Sequence, residues 1–404
     1  MRRIHRLNSQ RVTLVFAMIA LTVRIANADG EPPLPPGLGG AEPKLPAGLK
    51  KSAEPKLPVG LEENDEPKLP AGLGAESNKP VQSNKTSSAG SILENIPFDL
   101  TGFWEVRGGM RTQRDRTERD ASIGESRIQL EAEQDFGNTS VRVTSDFLYD
   151  PVFDHHSVYL ERGLGWLDLR EAYVAMPITS FADAKLGRQI LTWGTGDMLF
   201  INDLFPKDWN SFYIGRDEEY LKAPSDAAKL SFYSDMANLD LVYVPRFDSD
   251  RYIDGRRISF WNNAFGRRTG QDAVVHVDKP DDWFQDDEIA VRLFKNVAAY
   301  ELALYGYHGF WKSPAGMNPV SGKATFPELS AYGASVRGSV GPGIGSIEAG
   351  YYDSEDDRDG DNPFVNNGET RFLAGYEQEI GKDFTAAIQY YLEHMTDYGA
   401  YRRA

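Results

Sequence analysis

The sequence predicts an all-β fold, an antiparallel up-and-down β-barrel that crosses a membrane with its strands. From residue 96 onward the chain divides into segments of about 10 to 14 residues with partial two-residue alternation, and short and long connections alternate between them. The chain also contains 38 glycines, 19 tyrosines, 21 phenylalanines and 7 tryptophans, which favour strands and turns. A helical membrane protein is excluded, because the mean hydropathy is -0.47 and no long apolar stretch is present.

The N-terminus has the pattern of a secretory signal peptide. Several arginines precede an apolar run over residues 12–23, and the small-residue pattern Ala26-Asn27-Ala28 follows it. This run of about 12 residues is shorter than the roughly 20 that a spanning helix needs, which disfavours the alternative of a membrane anchor. We predict a signal peptide over residues 1–28, with cleavage after Ala28 and export of the rest of the chain.

Composition excludes several classes of function. The formal net charge is -16, so nucleic acid is not an expected partner. The chain has no cysteine, and an exported protein without cysteine cannot form a disulfide, a thiol nucleophile or a zinc–thiolate site. No cofactor and no metal are expected.

Residues 29–95 form a low-complexity linker. The octapeptide at residues 42–49, Glu-Pro-Lys-Leu-Pro-Ala-Gly-Leu, recurs in closely similar form at 54–61 and 66–73, with a looser copy at 31–38. Two prolines in each unit block helices and sheet ladders and favour extended polyproline II structure. We expect a disordered tether, which is either a plain spacer or a periplasmic docking arm.

The barrel domain is predicted over residues 96–404, and its connections are strictly asymmetric. Those after odd-numbered strands are long and polar, whereas those after even-numbered strands are tight, as in barrels with short periplasmic turns and long outer loops. The thirteen predicted strands cover residues 98–112, 124–136, 139–150, 165–177, 180–193, 225–235, 238–247, 286–296, 299–312, 328–341, 344–354, 369–380 and 383–395.

The second and third strands show most clearly which face meets lipid. The turn Gly137-Asn138 predicts a two-residue hairpin, so the numbers of opposed residues sum to about 275. One face then carries mostly apolar residues and the other is polar, and a charge at the bilayer midplane costs about 2 to 4 kcal/mol. The polar face should therefore line a wet lumen. The predicted pore-lining residues are Arg127, Gln129, Glu131, Glu133, Arg142 and Asp146.

The fourth predicted strand departs from this pattern. Glu171 follows Leu167 and Leu169 on the face that should meet lipid. Either a β-bulge near Arg170 shifts the register, or this face is covered by another part of the chain.

A short motif resembles known outer-membrane proteins. The sequence Leu186-Gly187-Arg188-Gln189, then Trp193-Gly194 and Asp197, is similar to a strand-to-loop signature of Gram-negative porin-like families, including relatives of alginate-export barrels; residues 169–173 look like the preceding strand. The resemblance covers about a dozen residues, in a pattern that a barrel strand and its outer loop would produce. It implies a location in the cell outer membrane, among lipid and lipopolysaccharide, after insertion by the barrel-assembly machinery.

Two long loops are candidates for folding into the lumen. Loop 248–285 is one of them, and loop 194–224, which is rich in aromatic residues, is the other. Charges on such a constriction loop would set ion selectivity, whereas a solvated outer loop is the alternative. The candidate constriction residues are Arg251, Arg256, Arg257, Arg267 and Arg268.

We predict a porin-like channel for small solutes or ions, not an enzyme, and leave open whether it is an oligomer. The alternatives are an adhesive or structural barrel and an outer-membrane hydrolase. His155, His156, His308 and His394 do not lie in a recognisable nucleophile motif. An acidic run at residues 353–361 departs from the calcium-loop pattern at Asn362 and Gly368.

The strand count and the last residue predict an incomplete barrel. Single-chain bacterial barrels use an even number of strands, and the resemblance leads us to expect an aromatic final residue where Ala404 stands. We therefore expect that one or more C-terminal strands are missing, and that the first and thirteenth predicted strands do not pair with each other.

Overall fold

The computed structural model describes residues 98–404, apart from 154–156, 197, 264 and 383, together with the backbone of residues 14–20. The cleavage site at Ala28 and the linker over 29–95 lie outside the described residues, as do His155, His156 and Asp197. The signal peptide, the linker and the domain boundary at residue 96 remain predictions.

The regular secondary structure of the described residues is almost entirely β-strand, which confirms the predicted fold class. The short helices are α-helical at Trp209–Tyr213 and Tyr398–Tyr401, and 3-10 at Pro151–Phe153, Leu160–Arg162, Glu218–Leu221 and Glu355–Asp357. Within the described part, no helix is long and apolar enough to cross a membrane. The strands are β1 (Leu14–Ala20), β2 (Asp99–Val106), β3 (Gly109–Met110), β4 (Ala121–Ile123), β5 (Ser126–Phe136), β6 (Thr139–Tyr149), β7 (Leu167–Thr179), β8 (Ala182–Ile190), β9 (Pro224–Phe232), β10 (Asn238–Val244), β11 (Phe260–Asn262), β12 (Arg267–Thr269), β13 (Val277–Asp278), β14 (Glu288–Val297), β15 (Tyr300–Phe310), β16 (Gly316–Met317), β17 (Ala324–Thr325), β18 (Glu328–Val340), β19 (Gly343–Ser354), β20 (Glu369–Gly381) and β21 (Phe384–Met395).

The strands of the main sheet lie in the order of the sequence, except that β1 lies beside the last strand, β21. The order of this sheet is β1-β21-β20-β19-β18-β15-β14-β10-β9-β8-β7-β6-β5-β2, and its neighbouring strands are antiparallel. Each of the thirteen predicted strands overlaps one of these strands, so the up-and-down topology is confirmed. Among the described residues, β2 pairs only with β5, and β21 pairs with β20 and β1. The apolar segment β1 therefore pairs with the edge of β21 that β20 leaves free. The free edge of a strand favours pairing with another segment, because its backbone N–H and C=O groups otherwise lack partners.

The predicted register between the second and third strands is confirmed. Ile128 lies opposite Phe147 and Glu133 lies opposite Arg142, and Gly137 adopts a φ of 66° in the turn, a left-handed conformation that suits glycine. The bulge near Arg170 is also present. Thr144 opposes Glu171 while the next residue, Ser145, opposes Leu169, so Arg170 is the extra residue.

The two faces of the sheet differ as the alternation predicts. Apolar side chains on one face are exposed over most strands, whereas alternate positions are buried or half-buried against two long connections. These connections are loop 191–223 between β8 and β9, and loop 245–287 between β10 and β14. Loop 191–223 contacts Gln129 of β5 and Glu348 of β19, which lie far apart in the sheet order, so the sheet curves around it. Exposed apolar residues of the outer face include Ile128, Leu130, Phe147, Ile289, Leu293, Leu302, Leu304 and Ile388.

Candidate functional site

The interior of the sheet has an apolar region, which we call the aromatic wall. Trp193, Ile201 and Phe205 of loop 191–223 pack against it, and the rings of Trp193 and Phe205 meet edge-to-face with centroids 4.9 Å apart. This packing fills one part of the interior with side chains. The aromatic wall comprises the inner-face residues Ala290, Ala303, Tyr305, Tyr307, Ala331, Tyr352 and Leu373.

One buried carboxylate of the sheet, Glu348, holds this part of the loop. Its Oε2 accepts hydrogen bonds from the backbone N–H of Thr195 at 2.8 Å and from the Thr195 hydroxyl at 2.9 Å, and its Oε1 accepts from the N–H of Asn202 at 2.7 Å. The Tyr352 hydroxyl donates to the carbonyl of Ile201. Bonds to an ionised acceptor are stronger than neutral ones, so Glu348 fixes the position of the loop.

The opposite part of the interior is ionic, and we call it the charged wall: Arg127, Gln129, Asp146, Asp168 and Arg170, on β5 to β7. Tyr220 of loop 191–223 contacts two of its guanidinium groups: the centroid of its ring lies 3.9 Å from Cζ of Arg127 and 4.5 Å from Cζ of Arg170. Its hydroxyl accepts a hydrogen bond from Gln129 at 2.9 Å. Cation–π stacking gains strength when it is shielded from water, as it is here.

Arg251 joins the two inward loops to the charged wall. Its Nη1 and Nη2 each bond a different oxygen of Asp168 at 2.7 Å, and Nη1 also bonds Asp208 at 3.1 Å. Burial alone would lower the pKa of Arg251, but the two carboxylates raise it above its usual range. Loop 245–287 is further tied to loop 191–223 by the N–H of Lys207, which donates to Asp250 at 2.8 Å.

The predicted pore-lining residues fall into two groups. Arg127 and Asp146 are buried beneath loop 191–223 and bonded to each other at 2.7 Å, and Gln129 contacts Tyr220. Arg142, Glu131 and Glu133 lie nearer the Gly137 turn and remain partly exposed. Arg142 contacts Glu131 at 2.8 Å, Glu133 at 3.8 Å and Glu171 at 3.4 Å.

The predicted constriction arginines also separate. Arg251 is buried, Arg257 contacts Asp150 at 2.5 Å, and Arg256 contacts Asp254 at 2.9 Å. Arg267 and Arg268 lie on the small hairpin of β11 and β12, and both side chains are at least half exposed. Loop 245–287 is thus folded inward at Arg251 and solvated at this hairpin.

Two residues that organise the interior were not identified from the sequence. Asp168 and Glu348 are carboxylates on strands, and both are almost fully buried. Their position on the inner face could have been read from the alternation, because an acidic residue between apolar neighbours on a strand must face the lumen. The sequence carries no signal of the loop groups that bind them.

Among the described residues, no catalytic or metal-binding arrangement is evident. His308 Nδ1 lies 3.1 Å from Ser330 Oγ and 3.5 Å from Glu355, and the serine hydroxyl donates to Glu355. A serine triad needs opposite ring nitrogens of histidine for the serine and the acid, whereas here one nitrogen faces both. In the described part of the chain, no three His, Asp or Glu residues are grouped to hold a metal.

The fold is an up-and-down antiparallel sheet with two long connections folded against its inner face. No family model matches the sequence, and no curated protein matches it either. Solved structures that match this chain include an anion-selective porin of Comamonas acidovorans and an outer membrane protein of Vibrio cholerae.

Three of these structures illustrate the similarity. OccD3 (OpdP) of Pseudomonas aeruginosa has a TM-score of 0.36 and 11% identity over 75% of this chain, which covers 60% of the length of OccD3. The anion-selective porin of Comamonas acidovorans has a TM-score of 0.29 and 12% identity, over 74% of this chain and 99% of that one. OmpF of Salmonella typhi has a TM-score of 0.31 and 7% identity, over 74% and 97%.

Proposed function

We propose that this chain forms a porin-like channel of the outer membrane, which passes small solutes or ions through the space that the sheet surrounds. The alternation of exposed apolar residues outside and ionic residues inside carries the proposal. On β5, exposed Ile128 and Leu130 alternate with Arg127, Gln129 and Glu131. Hydrocarbon favours the first set and disfavours the second by about 2 to 4 kcal/mol for each basic residue at the midplane.

Aromatic residues near the strand ends support a membrane location. Phe136, Phe181 and Tyr300 border the short turns, and Trp104 lies on the outer face of β2; all four are exposed. Rings at this height fit the two interfaces of a bilayer. We expect the outer face of the sheet to contact lipid and lipopolysaccharide. The barrel-assembly machinery is the partner expected to insert the chain, and the same outer face is available for association with further copies.

The partly exposed ionic group around Arg142 supports a polar route. Arg142, Glu131, Glu133, Glu171 and Lys185 share the inner face near the short turns, beyond the residues that loop 191–223 covers. Charges on the wall of a narrow wet passage bias the ions that cross it. These residues are therefore the proposed selectivity group.

Planar-bilayer recording of the full chain tests the channel. We expect discrete conductance steps, and the Arg142→Glu variant should shift the reversal potential in a salt gradient toward cation preference. Lys323→Glu makes the same charge change on an exposed outer loop and should not shift it. Conductance with unchanged selectivity in Arg142→Glu would remove Arg142 from the route.

A structural or adhesive barrel is the second candidate, and the packed aromatic wall favours it. Trp193, Ile201 and Phe205 fill that side of the interior. If membrane-inserted protein shows no conductance, the interior is plugged and this second candidate replaces the channel.

A further inference from the structure

The long connections of the sheet differ in charge. Residues 111–119 carry four arginines and two acidic residues, and residues 256–272 carry four arginines and one aspartate. By contrast, residues 281–287 carry four aspartates and no basic residue, and the formal net charge of the chain is -16. Salt limits the reach of surface charges to about 8 Å, so a local excess of arginine attracts anions although the whole chain is acidic.

The two arginine-rich segments lie side by side. The Ser259 hydroxyl donates to Asp115 at 2.5 Å, Arg111 donates to the carbonyl of Arg257 at 2.8 Å, and Arg257 donates to the carbonyl of Ser122 at 3.2 Å. These contacts join the connection between β3 and β4 to the hairpin of β11 and β12. We call the exposed arginines of both segments the basic rim: Arg114, Arg116, Arg119, Arg267 and Arg268.

Most charges of the basic rim lack a close carboxylate. Within the described residues, Arg114 and Arg116 form no ion pair, and Arg119 donates to two backbone carbonyls. Arg268 lies 3.8 Å from Asp115, and its side chain is 67% exposed. Guanidinium groups that are free of carboxylates bind phosphate through their paired N–H donors.

An apolar strip of the outer face leads to the basic rim. Trp104 and Val106 share the outer face of β2, where they are 71% and 66% exposed. Met110 of β3 is 77% exposed, and Arg114 follows four residues later. Apolar surface that ends at cationic groups fits an anionic lipid, because the acyl chains contact the apolar part and the headgroup contacts the charges.

A free small anion fits this surface less well than a lipid does. The basic rim is exposed to solvent, where a single ion pair contributes little. A ligand that carries several phosphates on one scaffold contacts several arginines at once, and each contact after the first is intramolecular. Acyl chains on the same scaffold add the contact with the apolar strip.

We propose that the basic rim and the apolar strip bind lipopolysaccharide, through the phosphates and the acyl chains of its lipid A part. This inference rests on the proposed function only for the location of the chain in the outer membrane. Trp261, which is 64% exposed and lies opposite Arg268 in the hairpin, offers an aromatic ring to the sugars between the phosphates.

Native mass spectrometry of the folded full chain, titrated with diphosphorylated lipid A, tests the surface. The combined variant Arg114→Gln, Arg116→Gln and Arg268→Gln should lower the affinity about tenfold, because three exposed ion pairs are lost. The difference from the parent chain should shrink as the ammonium acetate concentration rises, since salt screens exposed charges.

A matched control and two further probes identify the ligand. Lipid A without phosphates should bind about tenfold more weakly to the parent chain and equally to the arginine variant. Inorganic phosphate at the same concentration of phosphate groups should not compete. The control variant removes the same charge from exposed cations elsewhere and should bind as the parent chain does: Lys323→Gln, Arg358→Gln and Arg402→Gln.

Three outcomes would overturn the inference. They are equal affinity of the arginine variant and the control, equal binding of lipid A with and without phosphates, and competition by inorganic phosphate, which would identify a site for free anions. Bilayer conductance of the same preparations separates these results from the proposed function. Lipid A binding without conductance refutes the channel and keeps the surface, whereas conductance without lipid A binding refutes the surface alone.

Discussion

The charged wall and the aromatic wall belong to one continuous sheet, yet they hold the same loop by different forces. At the charged wall, the ring of Tyr220 contacts the guanidinium groups of Arg127 and Arg170. At the aromatic wall, Ile201 and Phe205 pack among tyrosine and alanine side chains. The first contact depends on pairing every charge, and the second depends on close packing.

The loop matches this division along its own sequence. Its apolar residues Leu199, Ile201, Leu204 and Phe205 pack with the aromatic wall, whereas residues 207–222 are largely polar and include Tyr220, which contacts the charged wall. A shift of the loop by a few residues would bury charges against apolar surface, which is costly. The inner face therefore positions its loop by matching polarity, and four perturbations of decreasing size test this difference.

The largest effect is expected from Arg251→Ala. It removes the cation that neutralises Asp168 and Asp208, both nearly fully buried. Breaking a buried ion pair from one side costs about 3 to 5 kcal/mol, and urea titration of the inserted protein should show this loss in the free energy of unfolding. Arg358→Ala, at an exposed arginine, should change it by less than about 0.5 kcal/mol. A small loss in Arg251→Ala would mean that water replaces the arginine.

At the aromatic wall, Ile201→Ala should cost about 3 kcal/mol, because Ile201 is 1% exposed and its loss leaves a cavity. Ile201→Val should cost only about 1 kcal/mol in the same titration. At Ile201 the loss in the free energy of unfolding should increase with the volume removed, whereas at Arg251 it arises from the removal of one charge. Equal costs for the two variants would contradict close packing.

Glu348→Gln should have an intermediate effect of about 2 kcal/mol, because one carboxylate oxygen that accepts loop hydrogen bonds becomes an amide group that donates them. Amide hydrogen exchange at Thr195 and Asn202 should become faster. Glu218→Gln, an exposed carboxylate of the same loop, is the control. Unchanged exchange at Thr195 would show that packing alone holds this part of the loop.

The smallest effect concerns pH and loop 245–287. Burial, followed by the nearby charge of Glu288, raises the pKa of Asp248 to about 6, while Lys312 and Lys279 oppose this and Asp226 adds to it. The folded chain thus holds a proton that the unfolded chain loses near pH 4. The resulting stabilisation is full below about pH 4 and is lost as the pH rises through about 6.

Hydrogen exchange, corrected for its intrinsic pH dependence, should accordingly show loop 245–287 better protected at pH 5 than at pH 7.5. In the Asp248→Asn variant the difference should disappear. If the variant keeps the pH dependence of the parent chain, another group is responsible.

Much of the sheet could be predicted from the sequence because its signals are local. The hairpin at Gly137 fixes the register of β5 and β6, and Glu171, on the face that should meet lipid, indicates either the bulge found at Arg170 or a covered face. The position of the candidate site could be predicted only in part. Arg127 and Asp146 are predicted pore-lining residues, but their burial beneath Tyr220 depends on a loop about 90 residues away.

The sequence by itself determined the thirteen long strands from β2 to β21 and their order, because a two-residue period and a tight turn act over a few neighbouring residues. Only the tertiary structure decided which inner residues are covered and which remain accessible. That outcome depends on contacts such as Arg251 with Asp168 and Asn202 with Glu348, between groups that no local pattern relates.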